Sequence, residues 1–456
     1  MTYSFHSSIL REYDIRGIIG ESLSVDDALY LGKAFGTRVR RNGGTVVAVG
    51  RDGRMSSPDL AVALIDGLVS TGCTVRDIGL GPTPMLYYAA KVRDADGGIM
   101  VTGSHNPPDH NGFKIVFTNK PFYGDDIRAL GPQVIAGDFV VGTGSVVLDP
   151  IADEYTARLA QDYHGIKPLS VVWDCGNGAA GRIIPDLVAR LPGHHVVLYP
   201  EVDGTFPNHH PDPTEPHNLV DLQARVKAEK ADLGIAFDGD GDRLGVVDAF
   251  GRILWGDQIL VILAEDLLKR LPGSKIIADV KASKVFFDEV SRMGGQPVMG
   301  RTGHSLVKTL MAEIGAPLAG EMSGHIFFAD HWYGFDDGLY AAVRLLDIVA
   351  RWSDLTLAGR RDQLPQMINT PELRFACAEE RKFQVVVEVK ARLSAAGATV
   401  NDVDGVRVDT PDGWWLLRAS NTQAVLVARC ESLDEAGLAK LKTQLEDQLG
   451  LSGVRL

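Results

Sequence analysis

The 456-residue chain has little of what marks secreted, membrane-spanning or nucleic-acid-binding proteins. Its four cysteines, Cys73, Cys175, Cys377 and Cys430, lie far apart, with neither metal-knuckle spacing nor a disulfide framework. Reduced thiols and a cytoplasmic setting are therefore expected. Long apolar runs are missing: the run at residues 259–264 stops at Glu265 and Asp266, far short of a bilayer span. The opening segment MTYSFHSSILREYDIRG lacks the apolar core of a signal peptide. Positive charge is in deficit, with 46 Lys and Arg against 59 Asp and Glu and a formal net charge of −13. That balance speaks against non-specific nucleic-acid binding, and it leaves any small anionic substrate dependent on local Arg and Lys. Neither a membrane nor a nucleic-acid partner is expected.

What is abundant is glycine, 50 residues, in a chain that is 45% hydrophobic and 23% charged. This composition fits a globular protein with many tight strand-to-helix turns. Length alone suggests about three domains. The pattern along the chain suggests four. Residues 46–50 read as a buried strand, Ser57 as an N-cap before Pro58, and Leu60, Leu64, Ile65 and Leu68 as one helix face. Strands at 73–78 and 99–101 continue a βαβ series with a parallel sheet. A Gly- and Val-rich stretch at 138–150 reads as a boundary. A second series runs from the strand at 169–175 to the strand at 233–237, and a third begins near Trp255, where Asp257 reads as a helix cap. Beyond residue 371 the pattern becomes α+β, with helices at 382–395 and 433–449 around three strands. The expected units are 1–150, 151–254, 255–367 and 368–456.

The chemistry gathers on loops. In TGSHNPP, at residues 102–108, the prolines bar a helix and Gly103 permits unusual dihedrals, which places Ser104 on a tight loop beyond a strand end. A serine hydrolase would need a G-x-S-x-G elbow, which is absent, and adjacent His105 is not expected to point back at Ser104. In DGDGDR, at residues 238–243, alternating glycines let Asp238, Asp240 and Asp242 converge. Unit charges about 4 Å apart repel by roughly 4 kcal/mol at an effective dielectric of about 20, so the cluster calls for a cation, and hard oxygen ligands favour Mg²⁺. An EF-hand is excluded, because its sixth and twelfth positions would be Arg243 and Ala249. Arg243 reads as a substrate contact or charge balancer.

In GEMSGH, at residues 320–325, Glu321, Ser323 and His325 can share one face and suit vicinal sugar hydroxyls. Arg418, Ser420, Asn421 and Thr422 form a donor-rich run suited to a phosphate dianion. Arg301, His304 and Lys281 are further loop-placed cations. The GNGAAG segment at 176–181, with Glu201 20 residues beyond its end, fits a dinucleotide fingerprint, but a plain packing turn explains it better. His209, His210 and His217, interleaved with prolines, read as an ordered structural loop rather than a metal site.

Together TGSHNP, DGDGDR, GEMSGH and RASNT, in this order and about one per domain, resemble the signature loops of the α-D-phosphohexomutases, in particular the bacterial phosphomannomutase/phosphoglucomutase branch. YDIRG at 13–17, RTGH at 301–304 and YGFDDG at 333–338 add to the likeness. The resemblance implies a heart-shaped, four-domain molecule: three βαβ-type domains with mixed sheets and a C-terminal α+β domain around a cleft. It implies a phosphorylated Ser104, with Mg²⁺ held by Asp238, Asp240, Asp242 and a phosphoserine oxygen. It places Arg16, His105, Lys114 and Arg243 around the transferring phosphoryl group, and Lys114 is the first choice of general base, His325 the second. Tyr13, Lys281, Arg301, His304, Glu321, Ser323 and His325 would bind substrate, and Arg418, Ser420, Asn421 and Thr422 its non-reacting phosphate. A monomer activated by glucose or mannose 1,6-bisphosphate is expected. Gln423 and Ala424 depart from the usual continuation of the phosphate loop. Three alternatives stand: a phosphoglucosamine mutase, a nicotinamide-dependent oxidoreductase, or a non-catalytic sugar-phosphate sensor.

Overall fold

Short, fully buried apolar strands, each running into a polar loop, set the architecture. The computed structural model describes residues 3–420 and 424–454 and contains four sheets. The first orders its strands Ile15–Ile18, His110–Phe117, Gly97–Val101, Val46–Arg51, Thr74–Leu80 and Ser145–Leu148, with the two-residue Lys120–Pro121 strand paired to His110–Phe117. Its inner pairs are parallel, but Ile15–Ile18 and His110–Phe117 run antiparallel to their neighbours, so this sheet is mixed. Within the stretch expected to hold a boundary, 138–150, lies the edge strand Ser145–Leu148, whose four residues are all exposed.

The second sheet places Leu169–Asp174 between Gly193–Leu198 and Leu233–Phe237, both parallel to it, and ends in the antiparallel strands Leu244–Asp248 and Ile253–Leu254. The third repeats this scheme more briefly, with Gln296–Gly300, Lys275–Asp279 and Leu318–Gly320 parallel and Ile326–Phe328 antiparallel. The fourth is antiparallel throughout and is backed by the helices Glu379–Ala395 and Glu435–Leu451.

Helix starts follow from local side-chain chemistry, with two shifts from expectation. Ser24 and Asp27 form a reciprocal capping box at Val25–Arg41, and Ser283 caps Lys284–Arg292 through the Val285 N–H. At Ser57–Val69 the cap position falls on Ser56. Ser57 is buried because its hydroxyl donates to Asp52 instead. Trp255, not Asp257, occupies the cap position of Gly256–Arg270, and Asp257 accepts the Ser283 N–H at 2.8 Å, tying two helices together.

One continuous apolar core joins the first three sheets. It runs from Met85 and Leu86 through Trp173, Ile235 and Phe237 to Leu260, Leu339 and Leu346. A second core fills the other face of the first sheet, around Phe35, Leu64 and Ile99. The fourth sheet keeps its own core, around Trp415, Leu417, Leu441 and Leu445. Val280, Trp414 and Leu416 form a small apolar cluster between the third and fourth sheets.

Candidate active site

The chemistry-bearing loops leave the carboxyl ends of parallel strands, where open α/β sheets present their ligand crevices. Ser104 follows Gly97–Val101, Asp238 follows Leu233–Phe237, and Glu321 follows Leu318–Gly320. Hydrogen bonds lock these loops together. Thr83 N–H donates to the Asp240 carbonyl at 2.7 Å, and Leu244 N–H to the Gly324 carbonyl at 2.9 Å. Arg243 and His325 form an isolated antiparallel bridge. Gly239 is needed for close approach, since a Cβ there would stand 2.4 Å from the Ser104 carbonyl oxygen.

Ser104 is buried and takes a left-handed backbone, φ 51°. Sequence reasoning assigned the unusual dihedral to Gly103, whose backbone is not left-handed. Gly103 is glycine for space, because a Cβ would meet the Arg54 guanidinium at 2.4 Å. The Ser104 hydroxyl donates to Asp238 Oδ2 at 3.3 Å. Its oxygen also lies 3.2 Å from His105 Nδ1, contrary to the expectation that the neighbouring histidine would point away. Burial, then Arg243 and Arg16, holds the His105 imidazole well below its usual pKa, hence neutral.

Asp238, Asp240 and Asp242 are wholly buried, and one oxygen from each lies within 4.8 Å of the others. At that distance, and a dielectric of about 20, each pair repels by roughly 3–4 kcal/mol. Lys114 Nζ donates to Asp240 Oδ2 at 2.7 Å and to Asp242 Oδ2, supplying part of the compensation. Asp240 Oδ1 still lacks a hydrogen-bond partner, and Asp242 Oδ1 has only a 3.3 Å contact to His325 Nε2. Burial and the two neighbouring carboxylates push Asp238 well up. An all-oxygen set with an orphaned oxygen and repulsion only partly relieved fits a hard divalent cation.

Lys114 fares differently as a proton acceptor. Burial lowers its pKa, but Asp240, Asp242 and Asp238 outweigh burial and hold the ammonium charged. In this arrangement the Lys114 ammonium, fixed between two carboxylates, balances their charge. His325 lies between Glu321 Oε2 at 3.1 Å and Asp242 Oδ1 at 3.3 Å, with Ser323 Oγ 2.9 Å from its Nδ1. Burial depresses its pKa, but Asp242 and Glu321 lift it to about 9. Glu321 also accepts the Gly303 N–H at 2.6 Å, so the 303 and 321 loops are one unit.

Arg16 donates to Asn106 and pairs with Asp14, which sets it against the serine loop. Arg243 stands 3.8 Å from Asp212 and 3.9 Å from Asp238. Tyr13 reaches across to the third sheet and donates to the Thr302 carbonyl at 3.1 Å, and His304 stacks on His325 with centroids 5.8 Å apart. A further group gathers on the fourth sheet, where Arg418 Nε and Thr302 N–H share Asp404 Oδ2, each at 3.0 Å. Lys281 lies 3.6 Å from Glu372, Arg301 is exposed, and Ser420 is buried. Asn421, Thr422 and Gln423 lie outside the described residues.

Several participants escaped the sequence reading. Asp52 and Arg54 lie under the serine loop, and Lys308 pairs with buried Asp336 at 2.7 Å beside His304. Asp336 Oδ2 is 3.4 Å from His304 Nδ1, so the Asp-Asp-Gly motif at 336–338 backs this histidine. For Asp52 and Arg54 the only sequence signal was position, since residues 52–54 follow a strand end as Ser104 does, whereas Asp336 lies in the YGFDDG segment already part of the likeness. The glycine-rich turn at 176–181 is a packing turn. Its Ala179 N–H donates to the Gly239 carbonyl, and a Cβ at Gly181 would strike the Pro200 carbonyl oxygen at 2.1 Å. His209 Nε2 sits 3.0 Å from Asp174, a tie from its loop to the end of the Leu169–Asp174 strand.

Comparison with known proteins places the whole chain. The phosphoglucomutase/phosphomannomutase alpha/beta/alpha domains I, II and III match residues 7–134, 153–251 and 255–367, and the C-terminal domain of that family matches residues 372–448. A Pseudomonas aeruginosa protein named phosphomannomutase/phosphoglucomutase is 48% identical over 449 residues, covering 97% of this chain and 96% of that protein. A Neisseria gonorrhoeae phosphoglucomutase is 41% identical over 447 residues, 97% of each chain. A crystal structure of a phosphoglucomutase/phosphomannomutase family protein from Burkholderia thailandensis superposes with a TM-score of 0.93 at 45% identity, covering 98% of both chains.

Proposed function

The chain belongs to the phosphoglucomutase/phosphomannomutase family, and from that premise we propose that it moves a phosphoryl group between C1 and C6 of mannose and glucose phosphates, with Ser104 as carrier. One observation carries the reading: the Ser104 hydroxyl sits 3.3 Å from Asp238, against three converging buried carboxylates of which Asp240 keeps an unpartnered oxygen. A serine so placed is poor at acyl chemistry and well placed to hold a phosphoryl group beside a cation.

In the proposed cycle, phosphoserine 104 faces the free hydroxyl of a hexose 1- or 6-phosphate. The bond from phosphorus to Ser104 Oγ breaks as phosphorus bonds to the sugar oxygen, and the hydroxyl proton ends on the departing Ser104 Oγ. The 1,6-bisphosphate turns over in the cleft and returns its other phosphoryl group to Ser104. Asp238, Asp240 and Asp242 would hold Mg²⁺, which when bound neutralises charge on the transferring phosphoryl oxygens. Arg16, Arg243 and Lys114 add positive charge at the same place, and neutral His105 stands with Nδ1 3.2 Å from the Ser104 oxygen. Glu321 and Ser323 grip sugar hydroxyls, with His304, Tyr13, Lys281 and Arg301 lining the substrate's path. Arg418, Ser420, Asn421 and Thr422 hold the non-reacting phosphate. Glucose or mannose 1,6-bisphosphate restores a phosphoenzyme that has lost its group.

A coupled assay with mannose 1-phosphate and glucose 1-phosphate, with catalytic bisphosphate and Mg²⁺, tests the reading, with glucosamine 6-phosphate as the competing substrate. Turnover of both hexoses that disappears in Ser104→Ala supports it. Full activity in Ser104→Ala, or turnover of the amino sugar alone, overturns it.

A further inference from the structure

A serine with φ 51° is a strained nucleophile, because the left-handed region is disfavoured for any residue with a Cβ. Something must hold it there, and what holds it is Arg54. This guanidinium is almost wholly buried, 2% exposed, in a cleft-side position where a solvated arginine would be the default. Nη2 donates to the carbonyls of Ser104 at 2.7 Å and Asn106 at 2.6 Å, and Nη1 to those of Pro107 and His110. Four carbonyls of one loop are thus turned toward a single planar cation, which fixes the loop as no set of single donors would. Asp52 completes the cradle. Its Oδ2 lies 3.2 Å from Arg54 Nε and accepts the Gly103 N–H at 3.1 Å, and its Oδ1 takes the Arg54 N–H.

The cradle is closed from the second sheet's unit. Phe206, itself left-handed at φ 51°, places its ring 5.2 Å from the guanidinium carbon, a cation–π approach. The loop carrying it packs so tightly that a Cβ at Gly204 would lie 2.5 Å from Arg54 Cα, and one at Gly53 would lie 2.0 Å from Val202. We infer that Arg54 is a positioning residue for Ser104, and that the Phe206 loop completes its clamp, so that the carrier serine takes its working geometry only while the first two units are docked. None of these groups reaches the reacting atoms. Arg54 acts through the Ser104, Asn106, Pro107 and His110 carbonyls, and Phe206 acts through Arg54.

The inference rests on Ser104 as phosphoryl carrier, so the experiment separates the two. Full-length wild type, Ser104→Ala, Arg54→Lys, Arg54→Met and Phe206→Leu are compared by steady-state kinetics on glucose 1-phosphate. Each is also measured for the rate of Ser104 phosphorylation by glucose 1,6-bisphosphate, read by intact mass, and for thermal midpoint. Lysine keeps the charge but cannot serve four carbonyls. Arg54→Lys is therefore expected to lose about 100-fold in kcat and in phosphorylation rate, with KM within threefold of wild type. Phe206→Leu is expected to lose about tenfold in the same two quantities. Arg54→Met, which removes the charge as well, is expected to lose at least as much as Arg54→Lys, and wild-type kcat in folded Arg54→Met overturns the positioning role. If Ser104→Ala is inactive while Arg54→Lys and Phe206→Leu keep wild-type kcat, or lose activity only in step with the folded fraction, the positioning role is wrong and the carrier reading stands. If Ser104→Ala is fully active, the carrier reading itself has failed.

Discussion

The first three units and the fourth are attached to the rest of the molecule in different ways. The first three share one apolar core, from Met85 through Trp173 to Leu346, and their loops are stitched by backbone hydrogen bonds such as Thr83 to Asp240 and Leu244 to Gly324. The fourth has a separate core and meets the third through a small cluster and a few buried polar groups. Chief among these is Arg407, which stacks 3.7 Å over Trp414 and donates to the Val280 and Ala282 carbonyls, each at 2.7 Å. Apolar burial scales with area and is insensitive to small slips, whereas a buried guanidinium loses its contribution once its carbonyls move. Serine, aspartate cluster and sugar loop are therefore fixed to one another, and the Arg418 group is placed by directional contacts.

Four measurements break or sharpen that contrast. The largest effect belongs to the shared core: Leu339→Ala, at a fully buried position, should cost about 2–5 kcal/mol. Because the core is continuous, the first three units should shift together in a single calorimetric transition. Separate shifts would mean the core is not one cooperative body. Arg407→Leu should cost about 1–3 kcal/mol, the penalty for orphaned carbonyls, but locally. The C-terminal unit should melt first in a resolved transition, and KM for hexose phosphate should rise more than kcat falls. An unchanged single transition would place the two kinds of attachment on equal footing.

A third measurement uses acid. Asp330 is buried between Arg344, at 3.0 Å, and Arg270, at 2.7 Å. Burial raises its carboxyl, but the two guanidiniums outweigh burial and hold it at about 2. A depressed carboxyl stabilises the fold above its unfolded value near 4, and that contribution is lost as pH falls through about 2. Asp330→Asn should therefore lower the thermal midpoint of the three-unit body at pH 6, with the deficit shrinking between pH 4 and pH 2. A deficit independent of pH would remove the ion pair as its cause. The smallest effect is the control: Lys390 pairs with Asp402 on the exposed surface of the fourth unit, and Lys390→Ala should change stability by less than about 0.5 kcal/mol.

The sequence made the functional loops legible because their residues have no other use. Three aspartates separated by glycines cannot pack as a core, and Ser-His-Asn-Pro-Pro cannot continue a helix or strand. Arg54 was invisible for the opposite reason. An arginine after a strand end reads as solvated, and only tertiary structure shows that four carbonyls converge on it. Lys114 was placed near the phosphoryl group, but its fixed charge depends on Asp240 and Asp242, more than 120 residues away. The edge strand Ser145–Leu148 was missed because both of its faces are exposed, so no alternation of polar and apolar residues marks it. The antiparallel strand Ile15–Ile18 is four residues long, too short for any period to register.

Tyr13 holds a last consequence. Its hydroxyl reaches the Thr302 carbonyl, and its ring fills the space where Gly303 would carry a Cβ. Nearby, Tyr123 Oη lies 3.3 Å from Thr309 Oγ1. The first unit thus touches the third as well as the second, and the second touches the third. Mechanically, three bodies in mutual contact form a closed linkage with no free joint, because rotation at one contact strains the other two. The fourth body hangs on that triangle at a single side. If the cleft is to admit and release a sugar phosphate by rigid motion, the joint with freedom to spare among the described residues is the one at Arg407 and Trp414.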